Sequence, residues 1–202
     1  GGLAHFIIHV GNSRGPEIST AEFMASAGAK SSSPSAWYHL DINDEVESIG
    51  WDANDHRLCH WGKFRDKASG REFFFFNSHL FWRLEVARSM SGGVLVSQVQ
   101  KIAGESPAIA VGDYNSREES KQVQDILTLL NDAYRISETA PAGPVETDLG
   151  GGNFLGPAKA RIDFIFTSKG IRVKDYTVID DKRENGHYPS DHLPIVCSLV
   201  IE

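Results

Sequence analysis

The sequence predicts an α/β fold in which mixed β-sheets and a few helices pack in layers. Short apolar runs of strand length occur along most of the chain, and only two segments show the apolar spacing of an amphipathic helix. Strands and helices do not alternate strictly, as they would in a purely parallel βαβ protein. The sequence contains no internal repeat.

The first half of the chain contains three predicted strands. The run at 3–10 ends in a Gly-Asn turn and predicts a strand. Residues 25–36 are small and polar, which indicates a linker or mobile loop. The runs at 57–65 and 71–80 are rich in β-forming residues and are separated by a short glycine-containing loop, which predicts a β-hairpin.

The second half begins with a predicted helix over 83–103, in which Gly92-Gly93 is expected to be a break. The apolar run at 107–112 is typical of a strand buried on both faces. A second helix is predicted over 118–131 because its apolar residues share one face. A loop rich in glycine and proline follows at 140–158, and three more strands are predicted at 161–167, 171–179 and 194–200.

The composition is that of an ordinary soluble domain. The 202 residues are 41% hydrophobic and carry a formal net charge of −7, which disfavours nucleic acid as a partner unless a local basic cleft offsets the charge. No apolar run reaches the roughly 18 residues of a membrane span. Cys59 and Cys197 lack metal-ligand spacing and lie in apolar runs, so we expect buried free thiols. The start of the chain predicts no signal peptide, which leaves the compartment open.

Ionisable and amide side chains stand at the ends of four strongly apolar runs. A carboxylate next to a buried strand is costly unless it is paired, protonated or bound to a metal. Taken singly, Asp113 is explained as a turn former and His79 as a core histidine. Taken together, the four sites predict one shared cleft at the ends of the strands. They are Asn77-Ser78-His79-Leu80, Gly112-Asp113-Tyr114-Asn115, Arg161-Ile162-Asp163-Phe164 and Ser190-Asp191-His192-Leu193-Pro194.

These four stretches, in this order, resemble the endonuclease/exonuclease/phosphatase superfamily of deoxyribonuclease-like phosphoesterases. The resemblance is good over 51–202 and weak over 1–50, and we expect a single domain over 1–202. Residues 51–82 further resemble a bacterial subgroup that is often secreted or periplasmic. The resemblance implies a four-layer α/β/β/α fold, in which two mixed β-sheets pack as a sandwich flanked by helices and the active site lies at one edge.

The resemblance also implies hydrolysis of a phosphoester, with a role for each matching residue. Asp113 would orient and deprotonate the attacking water, and Asn115 would hydrogen-bond that water or a phosphoryl oxygen. His192 would contact the phosphate. Asp163 would hold the ring of His192 and favour its charged form, because a nearby carboxylate raises the pKa of an imidazole.

Further residues have less specific assignments. By the same resemblance His79 would be a second phosphate donor, and Asp191 would be a metal ligand whose hard oxygen suits Mg²⁺ or Mn²⁺. Arg161 is expected to form a structural ion pair, with a phosphate contact as the alternative. Phe81 and Trp82 stand where relatives carry histidines. They would either stack on a base, sugar or lipid or extend the core, and we favour the core.

The N-terminal region departs from the family pattern. Relatives begin with a strand ending in Asn and a later strand ending in the Glu that is the main metal ligand. One alignment makes Asn12 the amide, but Glu17 and Glu22 follow too soon and end no apolar run. The other alignment, which we favour, makes 3–10 a later strand and places the first two strands and the Glu outside this chain.

Three functions remain in competition. The first is divalent-metal-dependent hydrolysis of a small-molecule, sugar or lipid phosphate mono- or diester. The second is a nuclease with the same mechanism, which would need a basic, aromatic-lined groove, whereas the sequence offers only one modestly basic hairpin. The third is a truncated domain that is catalytically impaired or non-enzymatic. An exposed sheet edge in such a domain favours a homodimer.

Overall fold

The computed structural model describes residues 3–8, 30–31, 36–39, 50–54, 57–66 and 69–202. Its larger sheet contains β2 (Lys30–Ser31), β3 (Ala36–His39), β4 (Leu58–Arg65), β5 (Glu72–His79), β6 (Ala108–Asp113), β7 (Asn131–Asp132) and β8 (Asp163–Thr167). The strands follow the order β2-β4-β5-β6-β8-β7, and β3 also pairs with β4. β5 and β6 are parallel, whereas β6 and β8 are antiparallel, so this sheet is mixed.

The smaller sheet is antiparallel and has the order β1-β10-β9. Its strands are β1 (Leu3–Ile8), β9 (Ile171–Val178) and β10 (Ile195–Ile201). Three helices complete the described part of the chain: α1 (Glu85–Ala103), α2 (Lys121–Leu127) and α3 (Ala133–Ile136). No helix in this part of the chain combines the length and apolar character needed to cross a membrane.

Four consecutive phenylalanines of β5 show how the layers pack. Successive side chains of a strand point to opposite faces of the sheet. Phe73 and Phe75 lie in the core between the two sheets, whereas Phe74 and Phe76 lie in a second core. That second core includes Leu95 of α1 and other buried residues of the two longer helices. The predicted α/β fold with two packed sheets and flanking helices is therefore confirmed, and the helices α1 and α2 cover the outer face of the larger sheet.

Most predicted elements are present with small shifts in their ends. The hairpin is formed by β4 and β5, and the buried strand is β6, in which all six residues are buried. Cys59 and Cys197 are buried and free, as expected. The prediction of a loop over 25–36 is wrong for residues 30–31, which form β2, and for Ala36, which is the first residue of β3. These short strands hydrogen-bond to the backbone of β4, which does not depend on side-chain polarity. The other residues of 25–36 lie outside the described ranges.

The predicted helix break at Gly92-Gly93 is also wrong, because α1 runs without interruption through both residues. A Cβ atom at Gly92 would lie 2.0 Å from the backbone oxygen of Gln122 in α2, so the glycine permits a close approach of the two helices. A Cβ atom at Gly93 would lie 3.6 Å from an Asp125 carboxylate oxygen, which is an ordinary contact. Helix packing therefore explains Gly92.

Alanine substitutions at the two glycines should have opposite effects on stability. Gly93→Ala should raise the free energy of unfolding by about 0.5–1 kcal/mol, the usual advantage of alanine over glycine inside a helix. Gly92→Ala should lower it by about 1–3 kcal/mol, because the added methyl group overpacks the helix contact. Urea denaturation of both variants measures the difference. Equal stabilisation by the two substitutions would contradict the close contact between α1 and α2.

Candidate active site

Three strand ends meet at one edge of the larger sheet. Because β5 and β6 are parallel, their last residues, His79 and Asp113, are neighbours in the register. β8 runs in the opposite direction, so its first residue, Asp163, pairs with Asp113. Gly112 has a φ of 141°, and a Cβ atom there would lie 1.8 Å from the backbone oxygen of Ser78. The glycine therefore allows β5 and β6 to approach closely just before the acidic residue.

Asp113 is held by the turn that follows β6. The backbone N–H of Asn115 donates to Oδ1 of Asp113 at 2.8 Å. The side-chain Nδ2 of Asn115 lies 3.1 Å from the carbonyl oxygen of Leu80 and 3.3 Å from Oδ2 of Asp113. Asn115 has a φ of 50°, a left-handed conformation that asparagine adopts more readily than most residues. Asn115 thus orients the carboxylate at the end of β6.

His192 forms the expected hydrogen bond with Asp163. Its Nδ1 lies 2.8 Å from Oδ2 of Asp163, and the Thr147 hydroxyl donates to the same oxygen at 2.5 Å. The other ring nitrogen, Nε2, lies 3.9 Å from Asp113 and 3.8 Å from Asp148. His192 therefore turns one nitrogen to a buried carboxylate and the other toward the acidic residues of the cleft.

The electrostatics of this group favour a protonated His192. Burial alone would lower the pKa of His192, but the hydrogen bond that His192 donates to Asp163 and the charges of Asp163, Asp113 and Asp148 together raise it to about 9. Burial, reinforced by the charge of Asp163, raises the pKa of Asp113 to about 7. Burial also raises the pKa of Asp163, against the hydrogen bonds from His192 and Thr147. The site thus places an imidazolium beside a carboxylate that can exchange a proton near neutral pH.

The raised pKa of His192 can be measured directly. In the full chain treated with a chelator, NMR titration of the His192 ring should give a pKa of about 9. The Asp163→Asn variant should move that pKa down to or below the ordinary value of about 6.5, because burial then acts without the carboxylate. An unchanged pKa in Asp163→Asn would contradict the coupling.

His79 lies on the opposite side of Asp113 from Asp163. Its Nε2 is 3.3 Å from Oδ2 of Asp113. Burial, with the positive charges of Arg57 and His192, lowers the pKa of His79 to about 4. His79 is therefore neutral at pH 7 and can donate one N–H. Its role as a phosphate donor stays a prediction.

Two loop segments supply the rest of the site. Asp191 accepts a hydrogen bond from the backbone N–H of Gly152 at 2.7 Å, so the glycine-rich loop holds its carboxylate. Asp148 forms a backbone bridge with His192. Sequence reasoning missed Asp148 and Thr147, which lie in the predicted 140–158 loop. The signal available for them was a Thr-Asp pair separated by one leucine from three consecutive glycines.

A cleft with a volume of about 590 Å³ connects these residues. Five of the six predicted site residues line it, and the sixth, Asp163, lies behind His192 and is 2% exposed. The expectation that Phe81 and Trp82 extend the core is right for Phe81 and wrong for Trp82, which is 50% exposed and lines the cleft. The lining residues are Arg57, His79, Trp82, Asp113, Asn115, Asp148, Gly151, Ile162, Asp191 and His192.

Arg161 forms the structural ion pair that the sequence predicts, and its partner is Asp132. One guanidinium nitrogen lies 2.5 and 2.6 Å from the two carboxylate oxygens of the buried Asp132. The guanidinium also lies over the rings of Tyr134 and Phe164. Because Asp132 neutralises Arg161, the carboxylate of Asp163 is left to His192 and Thr147.

The residues of the cleft fit a divalent cation. Asp113, Asp148 and Asp191 supply hard oxygen donors of the kind that Mg²⁺ and Mn²⁺ prefer. Asp113, Asp163 and His192 also offer ligand atoms within 4.8 Å of one another. In the described part of the chain Oδ1 of Asp163 is buried and has no hydrogen-bond partner. Asn12, Glu17 and Glu22, on which the two N-terminal alignments depend, lie outside the described residues.

Solved structures with a similar fold were found in several bacteria. An endonuclease/exonuclease/phosphatase from Bacteroides vulgatus is 29% identical, with a TM-score of 0.77, and the match covers 86% of this chain and 67% of that protein. A mannosyl-6-phosphatase from Bacteroides thetaiotaomicron is 28% identical, with a TM-score of 0.75, and the match covers 98% and 77%. Another family member from Bacteroides thetaiotaomicron is 29% identical, with a TM-score of 0.76, and the match covers 86% and 64%. No curated protein matches the sequence.

The family assignment follows from the sequence match and agrees with the site. The family model described as endonuclease/exonuclease/phosphatase matches residues 26–192, which is most of the chain. The matched range contains the first three stretches that converge on the cleft and the fourth as far as His192. The chain therefore belongs to the endonuclease/exonuclease/phosphatase family.

Proposed function

We propose that the chain is a divalent-metal-dependent phosphoesterase that acts on a sugar phosphate or a similar small phosphoester. The observation that carries the proposal is that one cleft contains both a group that can accept a proton and a group that stays protonated. Asp113 has a pKa near neutral pH and can accept a proton, whereas His192 holds its proton through Asp163. Hydrolysis of a phosphoester needs both a base for water and positive charge for the phosphoryl oxygens.

Asp113 is the base in this mechanism. Burial raises its pKa to about 7, so near neutral pH it is substantially ionised and basic enough to accept a proton from water. Asn115 fixes the carboxylate through its backbone N–H and its side-chain amide. The attacking water would lie within hydrogen-bond distance of Asp113 on the cleft side.

His192 stabilises the charge of the phosphoryl group. Its Nε2 faces the cleft, and the hydrogen bond to Asp163 fixes the ring and keeps it charged. An imidazolium N–H preorganised in this way donates to a phosphoryl oxygen without having to reorient during the reaction. The hydrogen bond from Thr147 to Asp163 holds the carboxylate in place.

A cation is needed because the cleft is acidic. Asp113, Asp148 and Asp191 line it and would repel a phosphate group. Asp191, supported by the other cleft carboxylates, would hold Mg²⁺ or Mn²⁺, and the bound cation would neutralise the charge on the phosphoryl and leaving oxygens. The 28% identity to a mannosyl-6-phosphatase over 98% of this chain supports a sugar phosphate as the substrate.

A nuclease is the second candidate. Trp82 favours it, because an exposed tryptophan at the cleft can stack on a base as well as on a sugar. The acidic lining of the cleft disfavours it, because a polynucleotide brings many phosphates to the surface.

A substrate comparison tests the proposal. The chelated protein is assayed with a hexose 6-phosphate, p-nitrophenyl phosphate, a p-nitrophenyl diester and single-stranded DNA, each with and without Mg²⁺ or Mn²⁺. We expect metal-dependent turnover of small phosphoesters, which is lost in Asp113→Asn. Preferential cleavage of DNA would favour the nuclease. Absence of turnover on every substrate, together with no metal-dependent thermal shift, would overturn the proposal in favour of a non-enzymatic domain.

A further inference from the structure

We infer that Arg57 recognises the phosphate group and makes the site select phosphomonoesters over phosphodiesters. The inference rests on the proposed function and deepens it. Arg57 directly precedes β4 and lines the cleft. Among the described residues of the lining, it is the only lysine or arginine, whereas three of the others are aspartates.

The guanidinium of Arg57 is held in place by an aromatic ring. Its central carbon lies 5.3 Å from the centroid of the Phe81 ring, and Phe81 is buried directly after β5 and Leu80. When a planar guanidinium lies over an aromatic face, its N–H groups point outward in the guanidinium plane and stay free to bind a ligand. Arg57 is thus oriented by packing, and its charge is not neutralised by that contact.

Arg57 also differs from Arg161 and from the basic residues of the β4–β5 hairpin in its pairing. Arg161 is neutralised by Asp132, and Lys63 and Arg65 of the hairpin pair with Glu72. Within the described ranges, no carboxylate lies within ion-pair distance of Arg57, and its Nε is buried without a hydrogen-bond partner. A half-buried cation with an unsatisfied donor, next to an acidic cleft, is suited to an anionic ligand.

The charge of Arg57 acts inside the cleft. It is one of the causes, after burial, that lower the pKa of His79, whose side chain adjoins Asp113. The guanidinium is therefore electrostatically coupled to His79 at the end of β5, next to the end of β6 that carries Asp113. A phosphate bound in the cleft beside Asp113 and His192 would lie within the same field.

The chemistry of the two ester classes explains the expected selectivity. A phosphomonoester dianion has three non-bridging oxygens, whereas a diester has two and carries one charge less. His192 and a bound cation would each engage one oxygen, and the third oxygen of a monoester needs another donor. A guanidinium donates through two parallel N–H groups and matches a doubly charged phosphoryl group better than a lysine does. In a diester, the corresponding position carries an uncharged organic group that gains nothing from Arg57.

Kinetics of matched esters test the inference. We compare p-nitrophenyl phosphate with its methyl ester, which has the same leaving group, in Arg57→Met, Arg57→Lys and the unsubstituted protein. Arg57→Met should lower kcat/KM for the monoester by about 30–100-fold, the usual scale of a lost hydrogen bond to a charged group, and lower that for the diester by less than about threefold. Arg57→Lys should fall between. Arg65→Met, on the exposed hairpin, is the control and should change neither ester.

Calorimetric titration with inorganic phosphate in the presence of Mg²⁺ gives a readout independent of turnover. Arg57→Met should weaken phosphate binding by at least tenfold, and thermal melting verifies that each variant folds. Equal losses for both esters, or unchanged phosphate affinity in Arg57→Met, would overturn the inference while leaving phosphoesterase activity standing. If the unsubstituted protein hydrolyses neither ester, the proposed function fails, and the phosphate titration still decides the role of Arg57. Lack of phosphate binding by the unsubstituted protein would count against that role as well.

Discussion

Asp113→Asn is expected to lower kcat by about 10³-fold while leaving the fold intact, because the loss of a positioned general base costs 10²–10⁴-fold. The asparagine has nearly the same shape and can still accept the hydrogen bond from the backbone N–H of Asn115. Its amide, however, cannot take a proton from water. Turnover is measured at saturating Mg²⁺ on the best small phosphoester.

A second substitution separates the specific effect from a general loss of charge. Asp180→Asn removes a negative charge from an exposed position after β9 and should leave kcat unchanged. If Asp113→Asn retained a tenth or more of the original turnover, another group would have to be the base.

His192→Ala and Asp163→Asn should each lower kcat by about 10²-fold or more, and the double variant should be little worse than His192→Ala. The reason is that the two residues act as one unit through the 2.8 Å hydrogen bond between Nδ1 and Oδ2. Asp163 has no role toward the substrate once the imidazole is gone. A double-mutant cycle on kcat gives the coupling between them.

The structure already removes one alternative explanation for an effect at Asp163. Arg161 pairs with Asp132, so Asp163→Asn does not leave that arginine without a partner. Thr147→Val provides a comparison, because it removes the hydroxyl that donates to Asp163 while keeping the side-chain volume. It should lower kcat less than Asp163→Asn. Additive losses at Asp163 and His192 would show that the two residues act independently.

The strand-borne part of the site could be predicted because polar residues interrupt apolar runs there. Burial makes a carboxylate costly, so Asp113 and Asp163 stand out in a sequence even without a structure. Their meeting also follows from topology, since β5 and β6 end at the edge where β8 begins. Local sequence therefore contains the residue types and their positions at strand ends, and the sheet topology brings those ends together.

Three other residues of the site could not be predicted in the same way. Arg57, Thr147 and Asp148 lie in polar stretches of the sequence, where one more polar residue does not stand out. Only tertiary contacts bring them to the site. The predicted helix break at Gly92 is wrong for a related reason. Helix propensity contains no information about the α2 backbone that packs against this glycine. Trp82 was placed in the core because its apolar character is visible in the sequence and its exposure is not.

The pairing of Asp113 with Asp163 across two strands has a consequence for how this protein can evolve. Burial, reinforced by the charge of Asp163, raises the pKa of Asp113 to about 7 from an ordinary 3.8, so the folded protein favours the protonated form. Above that pH the ionised carboxylate opposes folding, and below it the opposition fades as the group gains its proton. Neutral substitutions at Asp113 should therefore raise the melting temperature as they abolish turnover. Selection for thermal stability alone would favour the replacement of these acidic residues. Selection for catalysis is what keeps the two acids side by side at this edge of the sheet.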